Sequence, residues 1–308
     1  GRAFGSKSVN LKLLVTGATG QVDRSIKALG EQAGVDVRCI GYPDIDLANL
    51  SGFETLIAEV DPHVVVNSAA YTQVDNAETD KDLAFVVNAQ GAERVARAAA
   101  QCGVPVIQLS TDYVFSGDKP IGEAYHETDE TGPMTVYGAS KLAGEAAVQK
   151  VAANHVILRT AWVYSALGNN FLKTMLRVGA ERHELGVVND QFGAPTHAET
   201  IAGAVLKIAE ALVKSDDEAL RGVFHLTNSG AASWYDFARE IFQASKRMGG
   251  PSPIVSPIPS KSYPTPAVRP LNSVLNCAKT KTVYGITPED WRAPISETVS
   301  KVLKDTGL

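Results

Sequence analysis

The sequence predicts an α/β protein built on a doubly wound parallel sheet, followed by a smaller C-terminal α/β lobe. Short apolar runs alternate with longer segments of helical spacing, a glycine loop follows the first apolar run, and the alternation loosens after about residue 165. Alternation of this kind is typical of βαβ units, whose strands are parallel because each crossover helix returns the chain to the same edge.

Five apolar runs in the first half of the chain are predicted to be buried strands. They lie at 11–16, 35–40, 63–67, 104–109 and 155–159. Segments with helical spacing separate them, at 21–33, 53–60, 82–102 and around Tyr137. Continuous apolar runs favour a sheet that helices cover on both faces.

The second half predicts fewer strands and a long proline-rich segment. Helices are expected at 171–181, 199–213 and 234–247, and one strand at 223–227. Residues 251–270 hold seven of the 15 prolines, so this segment is no regular helix. We expect an ordered surface loop that acts as a substrate lid, with disorder as the alternative.

Composition narrows the class of protein. The 308 residues carry 29 Lys and Arg against 34 Asp and Glu, a net charge of -5, which predicts no nucleic-acid or membrane-surface partner. Three widely spaced cysteines fit neither a disulfide framework nor a metal site and favour a reducing, cytoplasmic location. Residues 1–10 are polar and lack the apolar region of a signal peptide.

A glycine loop lies between the first strand and the first helix. Gly17 and Gly20 would let the backbone approach a pyrophosphate, which binds N–H groups at the helix start. The context indicates a Rossmann-like dinucleotide-binding domain over residues 11–165 and a mainly substrate-binding lobe over 166–308, with some chain returning to the first domain. Position 23, where a third glycine is usual, holds Asp23. Its carboxylate could weaken cofactor binding or point away.

The choice between NADH and NADPH stays open at the level of sequence. An NAD site usually has an acid at the end of the second strand, and here none occurs before Asp44 and Asp46. Arg24 and Arg38 are candidate partners for a 2′-phosphate, although each is equally well a solvated surface charge. We expect a weak preference for NADPH with NADH tolerated, and Asp46 and Leu47 flanking the adenine.

The reacting groups are predicted from the pair Tyr137 and Lys141. Four residues apart on a helix, the two side chains share a face, and a nearby ammonium favours the phenolate and lowers the tyrosine pKa. Such a pair can give a proton to an oxygen that becomes negative. Thr111 follows the fourth strand, where parallel sheets bind ligands. Asn88 lies in an otherwise apolar helix and is predicted to have either a structural capping role or a role in supporting the active site.

Seven strings carry a resemblance to the extended short-chain dehydrogenases/reductases, and within them to the dTDP-4-dehydrorhamnose reductase family. The resemblance covers nearly the whole chain from about Lys12. The strings are AAYTQVDNAE at 69–78, STDYVF at 110–115, YGASKLAGE at 137–145, RTAWVY at 159–164, GNNF at 168–171, DQFGAPT at 190–196 and PTPAVRPLNS at 264–273. Trp162 and the last two strings distinguish this family from generic nucleotide-sugar epimerases.

The resemblance implies reduction of the C4 ketone of dTDP-4-dehydro-L-rhamnose to dTDP-L-rhamnose. It implies catalytic Thr111, Tyr137 and Lys141, with Tyr137 as the proton donor and Lys141 also on the nicotinamide ribose. The implied cofactor-binding residues are Gly17, Thr19, Gly20, Gln21, Val22, Asp46, Leu47, Ala69, Ala70, Tyr71, Tyr137 and Lys141. The implied substrate-binding residues are Val74, Thr111, Tyr113, Trp162, Asn170 and Arg269.

Several of these roles have a plainer alternative. Trp162 would pack against the sugar or would simply be part of the core, and Arg269 would bind the diphosphate or would anchor the proline-rich loop. Residues 191–196 would form a wall of the substrate cleft. We expect no catalytic metal, because the first helix carries no acidic cluster, and a monomer or a homodimer.

Two other functions compete with the reductase. The first is a non-catalytic binding protein, since the regulatory subunit of methionine adenosyltransferase resembles this family. Intact Thr111, Tyr137, Lys141 and Trp162 argue against it, whereas Asp23 argues mildly for it. The second is a reductase of another 4-keto-6-deoxy nucleotide sugar, because no residue distinguishes a thymine from a uracil base.

Overall fold

The computed structural model describes residues 10–308, and its centre is a six-stranded sheet in which every pairing is parallel. The strands are β1 Lys12–Thr16, β2 Asp36–Ile40, β3 Val64–Asn67, β4 Val106–Thr111, β5 His155–Thr160 and β10 Gly222–His225. Their order is β10-β5-β4-β3-β1-β2. The order reverses between β1 and β3, and ligands bind parallel α/β sheets at such a switch point.

Helices cover both faces of this sheet. One face packs against α1 Gln21–Gln32 and α7 Ala198–Lys214. The other face packs against α2 Phe53–Val60, α4 Ala92–Gln101 and α5 Val136–Val151. The strands are apolar on both sides because neither face meets water, as the continuous apolar runs predict.

The long helix predicted at 82–102 is interrupted. It consists of α3 Lys81–Phe85, a π-helical segment Val86–Gly91 and then α4. π-Helical turns are rare and are frequent at functional sites. Here the turn carries Asn88, whose side chain bonds outside the helix.

A second apolar core lies in the C-terminal lobe and is centred on buried Trp291, Phe237 and Tyr164. Helices α6 Phe171–Glu181, α8 Trp234–Arg247 and α10 Ile295–Thr306 pack around it, and α9 Ala278–Tyr284 packs near β10. Three two-stranded sheets complete the lobe. They pair β6 Val163–Tyr164 with β9 Thr196–His197, β7 Glu184–Val188 with β12 Ile254–Ile258, and β8 Phe192–Gly193 with β11 Ala232–Ser233.

The prediction of a loop for 251–270 is wrong in part. Residues Ile254–Ile258 form β12, which pairs in parallel with β7. Pro257 lies inside this strand, which is tolerated because β12 pairs on one side only and Pro has no N–H to leave unbonded. The rest of the segment is irregular apart from a short 3₁₀ turn at Ser260–Ser262, and its role as a substrate lid stays a prediction.

Two boundaries in the structure differ from those that the sequence predicts. The fourth strand ends at Thr111 rather than at residue 109, which places that hydroxyl at the edge of the sheet. Strand β10 belongs to the first sheet and helix α7 packs against one face of it, although both follow residue 165. The division at 165 stays a prediction.

No helix among residues 10–308 is long and apolar enough to cross a membrane. The polar segment 1–10, for which the sequence predicts no signal peptide, lies outside the described residues except for Asn10.

Candidate active site

The predicted site residues meet at the carboxyl edge of the large sheet. The glycine loop follows β1, residues 68–72 follow β3, and Thr111 ends β4. Trp162 comes shortly after β5. Each loop leaves the sheet at the same edge because the strands are parallel, so residues distant in sequence face one cleft.

A cavity of about 640 Å³ lies over the glycine loop. Seven of the residues predicted to bind the cofactor line it: Gly17, Thr19, Gly20, Asp46, Leu47, Ala69 and Ala70. Two glycines are required there. Gly17 has φ +102°, a conformation that other residues rarely adopt, and a methyl group at Gly41 would lie 2.9 Å from the Ala18 nitrogen. The cavity therefore fits the backbone approach that a dinucleotide requires.

The five other predicted cofactor residues lie outside the cavity lining: Gln21, Val22, Tyr71, Tyr137 and Lys141. Gln21 and Val22 begin α1, and Val22 packs against the main core. The Gln21 side chain bonds across to the second lobe, donating to the Val163 carbonyl and accepting from Ser165. Tyr71 has its backbone fixed by Asn88. For these residues the cofactor role stays a prediction.

Asp23 turns back towards the glycine loop. Its Oδ2 accepts a hydrogen bond from the Gly20 N–H at 3.1 Å, and the residue is only 4% exposed. Burial raises the pKa of this carboxyl, and hydrogen bonds together with Arg24 act against the rise. The carboxylate thus closes the start of α1 as an internal cap, and the alternative that it points away is wrong.

A buried hydrogen-bonded chain, which we call the sheet-edge array, links Thr16, Asn67, Gln108 and Lys141. The Thr16 hydroxyl donates to Asn67 Oδ1 at 2.6 Å, and Asn67 Nδ2 donates to Gln108 Oε1 at 2.7 Å. Gln108 Nε2 and Lys141 Nζ then donate to the same carbonyl, that of Leu109, at 3.0 and 2.8 Å. The array joins three neighbouring strands to the helix that carries Tyr137, so the ammonium is held by the sheet itself.

Tyr137 lies next to Thr111 and Tyr113. The rings of Tyr113 and Tyr137 meet edge to face with centroids 5.6 Å apart. Burial raises the pKa of Tyr137 to about 12, and a hydrogen bond with Thr111 acts in the opposite direction. The net lowering of the Tyr137 pKa that the sequence predicts is therefore not seen in this arrangement, because burial outweighs the groups that lower it. A tyrosine with this pKa keeps its proton at neutral pH, as a proton donor must.

Burial lowers the pKa of Lys141 to about 8, and the charge of Glu145 acts against that change. Glu145 lies one turn further along α5 and forms a buried ion pair with Arg159, Nε to Oε1 at 2.7 Å. Arg159 also meets His225 Nε2 at 3.3 Å, and burial followed by Arg159 lowers the pKa of that histidine to about 3. This cluster behind Lys141 escaped the sequence prediction, because its members come from β5, α5 and β10.

Asn88 supports the site rather than capping a helix. Its amide accepts from the Tyr71 N–H at 2.8 Å and donates to the Tyr71 carbonyl at 2.9 Å. It also donates to Ser140 Oγ at 3.0 Å, and Ser140 Oγ donates to the Tyr137 carbonyl at 2.7 Å. Gly144 permits this approach, since a methyl group there would lie 2.1 Å from the Asn88 carbonyl oxygen.

Asp112 is a second residue to which the sequence assigned no role. It is buried, its Oδ1 accepts from the Thr111 hydroxyl at 3.1 Å, and its Oδ2 has no hydrogen-bond partner among residues 10–308. Burial raises the pKa of this carboxyl to about 6. The acid therefore lies directly behind the hydroxyl that is expected to meet the ketone.

The second lobe contributes an aromatic wall, formed by Trp162, Trp234 and Phe171. The indole rings of Trp162 and Trp234 stack with their centroids 3.6 Å apart and their planes at 8°. The ring centroid of Phe171 lies 4.8 Å from that of Trp234. Trp162 has φ +49°, which is unusual for a bulky residue and typical of functional sites. Gly193 leaves room for the indole, since a methyl group there would lie 2.5 Å from it.

Arg269 binds a carboxylate of the same chain. Its two terminal nitrogens donate to the two oxygens of Asp75, both at 2.9 Å, and its hydrogen bonds lower the pKa of that carboxyl. Asp75 also accepts from the Ala267 N–H. The alternative role of Arg269, anchoring the proline-rich segment, is thus present, and contact with a diphosphate stays a prediction. Half-buried Val74 lies beside this pair.

Segment 190–196 holds the proline-rich segment in place. Asp190 accepts from the Ser260 N–H at 2.9 Å, and Gln191 donates to Ser260 Oγ at 3.0 Å.

Asn170 caps α6, with its amide donating to the carbonyls of Ser165 and Leu167. Both polar groups of Asn170 are therefore used within the chain, and its substrate role stays a prediction.

The cavity has no basic residue in its lining. Neither Arg24 nor Arg38 reaches it, and both are exposed, whereas Asp23 and Asp46 are part of it. The weak preference for NADPH therefore remains a prediction. Among residues 10–308 no three His, Cys, Asp or Glu side chains are grouped as a metal ion would require.

A family model described as the RmlD substrate binding domain matches residues 11–304. The chain is 47% identical over 281 residues to the dTDP-4-dehydrorhamnose reductase of Sinorhizobium fredii, a match that covers 91% of this chain and 94% of that protein.

Solved structures agree with the sequence match. A dTDP-4-dehydrorhamnose reductase from Clostridium acetobutylicum superposes with a TM-score of 0.87 at 38% identity, covering 94% of this chain and 99% of that one. A second, from Bacillus anthracis in complex with NADP, gives 0.85 at 33% identity, covering 97% and 100%.

Proposed function

This chain belongs to the RmlD substrate binding domain family of dTDP-4-dehydrorhamnose reductases, and we propose that it reduces the C4 ketone of dTDP-4-dehydro-L-rhamnose to dTDP-L-rhamnose. One observation carries the proposal. Tyr137 lies next to Thr111 at the end of β4, Lys141 donates to the Leu109 carbonyl of the same strand, and the glycine-loop cavity lies at the same edge of the sheet. The aromatic wall, which contains Trp162, follows β5.

Bound NADPH or NADH supplies the hydride for this reduction. Gly17 and Gly20 let the loop approach the diphosphate, and Asp46, Leu47, Ala69 and Ala70 line the same cavity. The predicted weak preference for NADPH is part of the proposal, and Arg24 and Arg38 are its candidate determinants.

Tyr137 gives its proton to the C4 oxygen as negative charge develops there. Its pKa of about 12 in this arrangement keeps the proton in place until the oxygen becomes basic. Thr111 would orient the ketone by a hydrogen bond once its hydroxyl turns away from Asp112, to which it donates in this structure. A positioned proton donor of this kind contributes about 10²- to 10⁴-fold to the rate.

Lys141 holds positive charge below the site. The Leu109 carbonyl orients its ammonium, and Glu145 favours its charged form. An ammonium near a tyrosine stabilises the phenolate that remains after proton transfer. We also assign to Lys141 the predicted contact with a ribose hydroxyl.

The substrate side is assigned to the aromatic wall and the proline-rich segment. Trp162 offers an apolar face that suits the C6 methyl group, and Val74 and Tyr113 complete the sugar pocket. Arg269 would bind the diphosphate with the part of its fork that Asp75 leaves free, because a guanidinium has five donors. We further propose a cytoplasmic monomer or homodimer, which sedimentation analysis distinguishes.

Product analysis tests this assignment. The protein is incubated with NADPH deuterated at the nicotinamide C4 and with dTDP-4-dehydro-L-rhamnose. We expect dTDP-L-rhamnose with deuterium at sugar C4, observed by NMR and mass spectrometry. Faster reduction of the UDP analogue would assign a different base, and no reduction despite measured NADPH binding would favour the non-catalytic binding protein.

A further inference from the structure

The carboxylate of Asp23 fills the space between the two glycines of the phosphate loop. A methyl group at Gly20 would lie 2.4 Å from Asp23 Oδ1, and one at Gly17 would lie 2.9 Å from Oδ2. Asp23 also lines the cofactor cavity itself. The side chain thus lies against the backbone that the diphosphate of a dinucleotide has to approach.

This carboxylate uses a donor that an anion would otherwise use. N–H groups at the start of a helix, together with the positive end of the helix dipole, make an anion site. In this chain the Gly20 N–H donates to Asp23 Oδ2 at 3.1 Å. The loop therefore already holds one negative group of its own before a ligand arrives.

The charge of Asp23 has little to balance it. Arg24 on the same helix is exposed and lowers the pKa of the carboxyl only in part. From β2 the neighbour is the Cys39 thiol, whose pKa burial and Asp23 raise to about 11, so it is neutral. Loop residues 17–20 and 68–70 carry no charge, and Asp46 adds a second acid to the cavity lining.

We propose that Asp23 is the residue that limits dinucleotide affinity in this chain, and that binding of the dinucleotide is linked to uptake of a proton by its carboxyl group. The diphosphate brings negative charge next to the carboxylate, which favours the protonated form in the complex. By linkage, affinity is highest when the carboxyl is protonated and falls as pH rises towards the pKa of the complex. The inference rests on the proposed function only in taking a nicotinamide dinucleotide as the ligand.

The test is calorimetric titration of the protein with NADH, repeated in two buffers of different ionisation enthalpy. NADH is chosen because the 2′-phosphate of NADPH titrates near neutral pH and would add its own protons. We expect proton uptake on binding, and a dissociation constant that rises with pH from the pKa of the free carboxyl, which lies above its ordinary 3.8, to the pKa of the complex.

Asp23→Asn removes the charge and keeps an oxygen that accepts from Gly20. We expect this variant to bind NADH and NADPH about tenfold more tightly at neutral pH, the factor that one pKa unit represents. Its proton uptake should vanish. The gain should be equal for both cofactors, because they share the diphosphate and differ only at the 2′ position.

Asp36→Asn is the matched control. Asp36 begins β2 at the opposite end of the strand from the cavity, and its carboxylate is exposed at 4.0 Å from Lys12 Nζ. The same loss of charge there should leave affinity and proton uptake unchanged. Equal tightening in both variants would overturn the proposal, because the effect would then be one of net charge.

Two results for Asp23 itself would also overturn it. One is an Asp23→Asn variant with native affinity and native pH dependence. The other needs no variant: native protein that binds NADH without proton uptake at any pH in this range. Because substrate is absent from every titration, failure of the sugar reduction would leave these results intact, and the two failures are distinguishable.

Discussion

The sheet-edge array and the aromatic wall hold their functional residues in different ways. The array fixes Lys141 through buried hydrogen bonds of 2.6 to 3.0 Å that start at Thr16 and cross three strands of one sheet. The wall holds Trp162 through stacking on Trp234 and through a close approach to Gly193, with no side-chain hydrogen bond to its indole among those found in residues 10–308.

The difference predicts how each region responds to change. Hydrogen bonds depend steeply on distance and angle, so a small shift of α5 misplaces Tyr137 and lowers kcat. Stacked rings tolerate sliding, so a shift of Trp162 weakens binding of the sugar and raises KM. Glycine-to-alanine changes at close approaches in the two regions test this contrast with the same one-methyl perturbation.

Gly144→Ala is expected to have the largest effect. The new methyl group would lie 2.1 Å from the Asn88 carbonyl oxygen, which is backbone and has little room to yield. Helix α5 must then move away from the π-helical turn and take Tyr137 and Lys141 with it. We expect kcat to fall about 100-fold, the cost of a misplacement of about 1 Å. Steady-state kinetics with circular dichroism as a check on folding measure this.

Gly203→Ala is the control for that change. Gly203 lies within α7, and nothing lies within 4 Å of the position of its added methyl group. We expect native kinetics and a free energy of unfolding raised by about 0.5–1 kcal/mol, because alanine favours helix. A loss of activity at this position would show that the assay reports general damage.

Gly193→Ala is expected to raise KM about tenfold with kcat nearly unchanged, since a lost contact of about 1.4 kcal/mol corresponds to that factor. Its methyl group would lie 2.5 Å from the Trp162 indole, which must slide along Trp234. Kinetics at saturating NADPH with varied sugar nucleotide measure both constants. A fall in kcat as large as that of Gly144→Ala would remove the contrast between the two regions.

Asp112→Asn should change the dependence of stability on pH. The pKa of Asp112 is raised to about 6 from its ordinary 3.8, so the folded state favours the protonated acid. Its contribution to stability is complete below about pH 4 and is lost as pH rises through about 6. The free energy of unfolding of the variant, measured relative to that of the native protein, should rise by about 1–3 kcal/mol when the pH is raised from 4 to 8. Urea denaturation of both proteins at both pH values measures this. An equal difference in free energy of unfolding at pH 4 and pH 8 would contradict it.

Much of the fold follows from local patterns. Helices α2, α6 and α8 begin and end at the predicted residues, because their apolar spacing is strong. Strand β12 was missed because proline argued against it, and strands of two residues such as β6 leave no periodic pattern. That β10 joins the first sheet depends on tertiary pairing with β5.

Those site residues could be predicted whose chemistry depends on residue type and on a short spacing in the sequence. Tyr137, Lys141 and Thr111 were named from their residue types and their strand or helix positions. The pair of Glu145 and Arg159 joins residues from different elements, and no spacing reveals it. Asp23 was noticed as a departure, whereas the direction of its side chain depends on the backbone of the loop.

The central claim is that Tyr137 supplies the proton to the C4 oxygen of the sugar. Its most direct test is the rate at which NADPH absorbance falls with dTDP-4-dehydro-L-rhamnose, for native protein and for Tyr137→Phe. We expect rapid consumption by the native protein, a loss of about 10²- to 10⁴-fold in the variant, and nearly equal NADPH dissociation constants. Turnover by Tyr137→Phe at the native rate would contradict it.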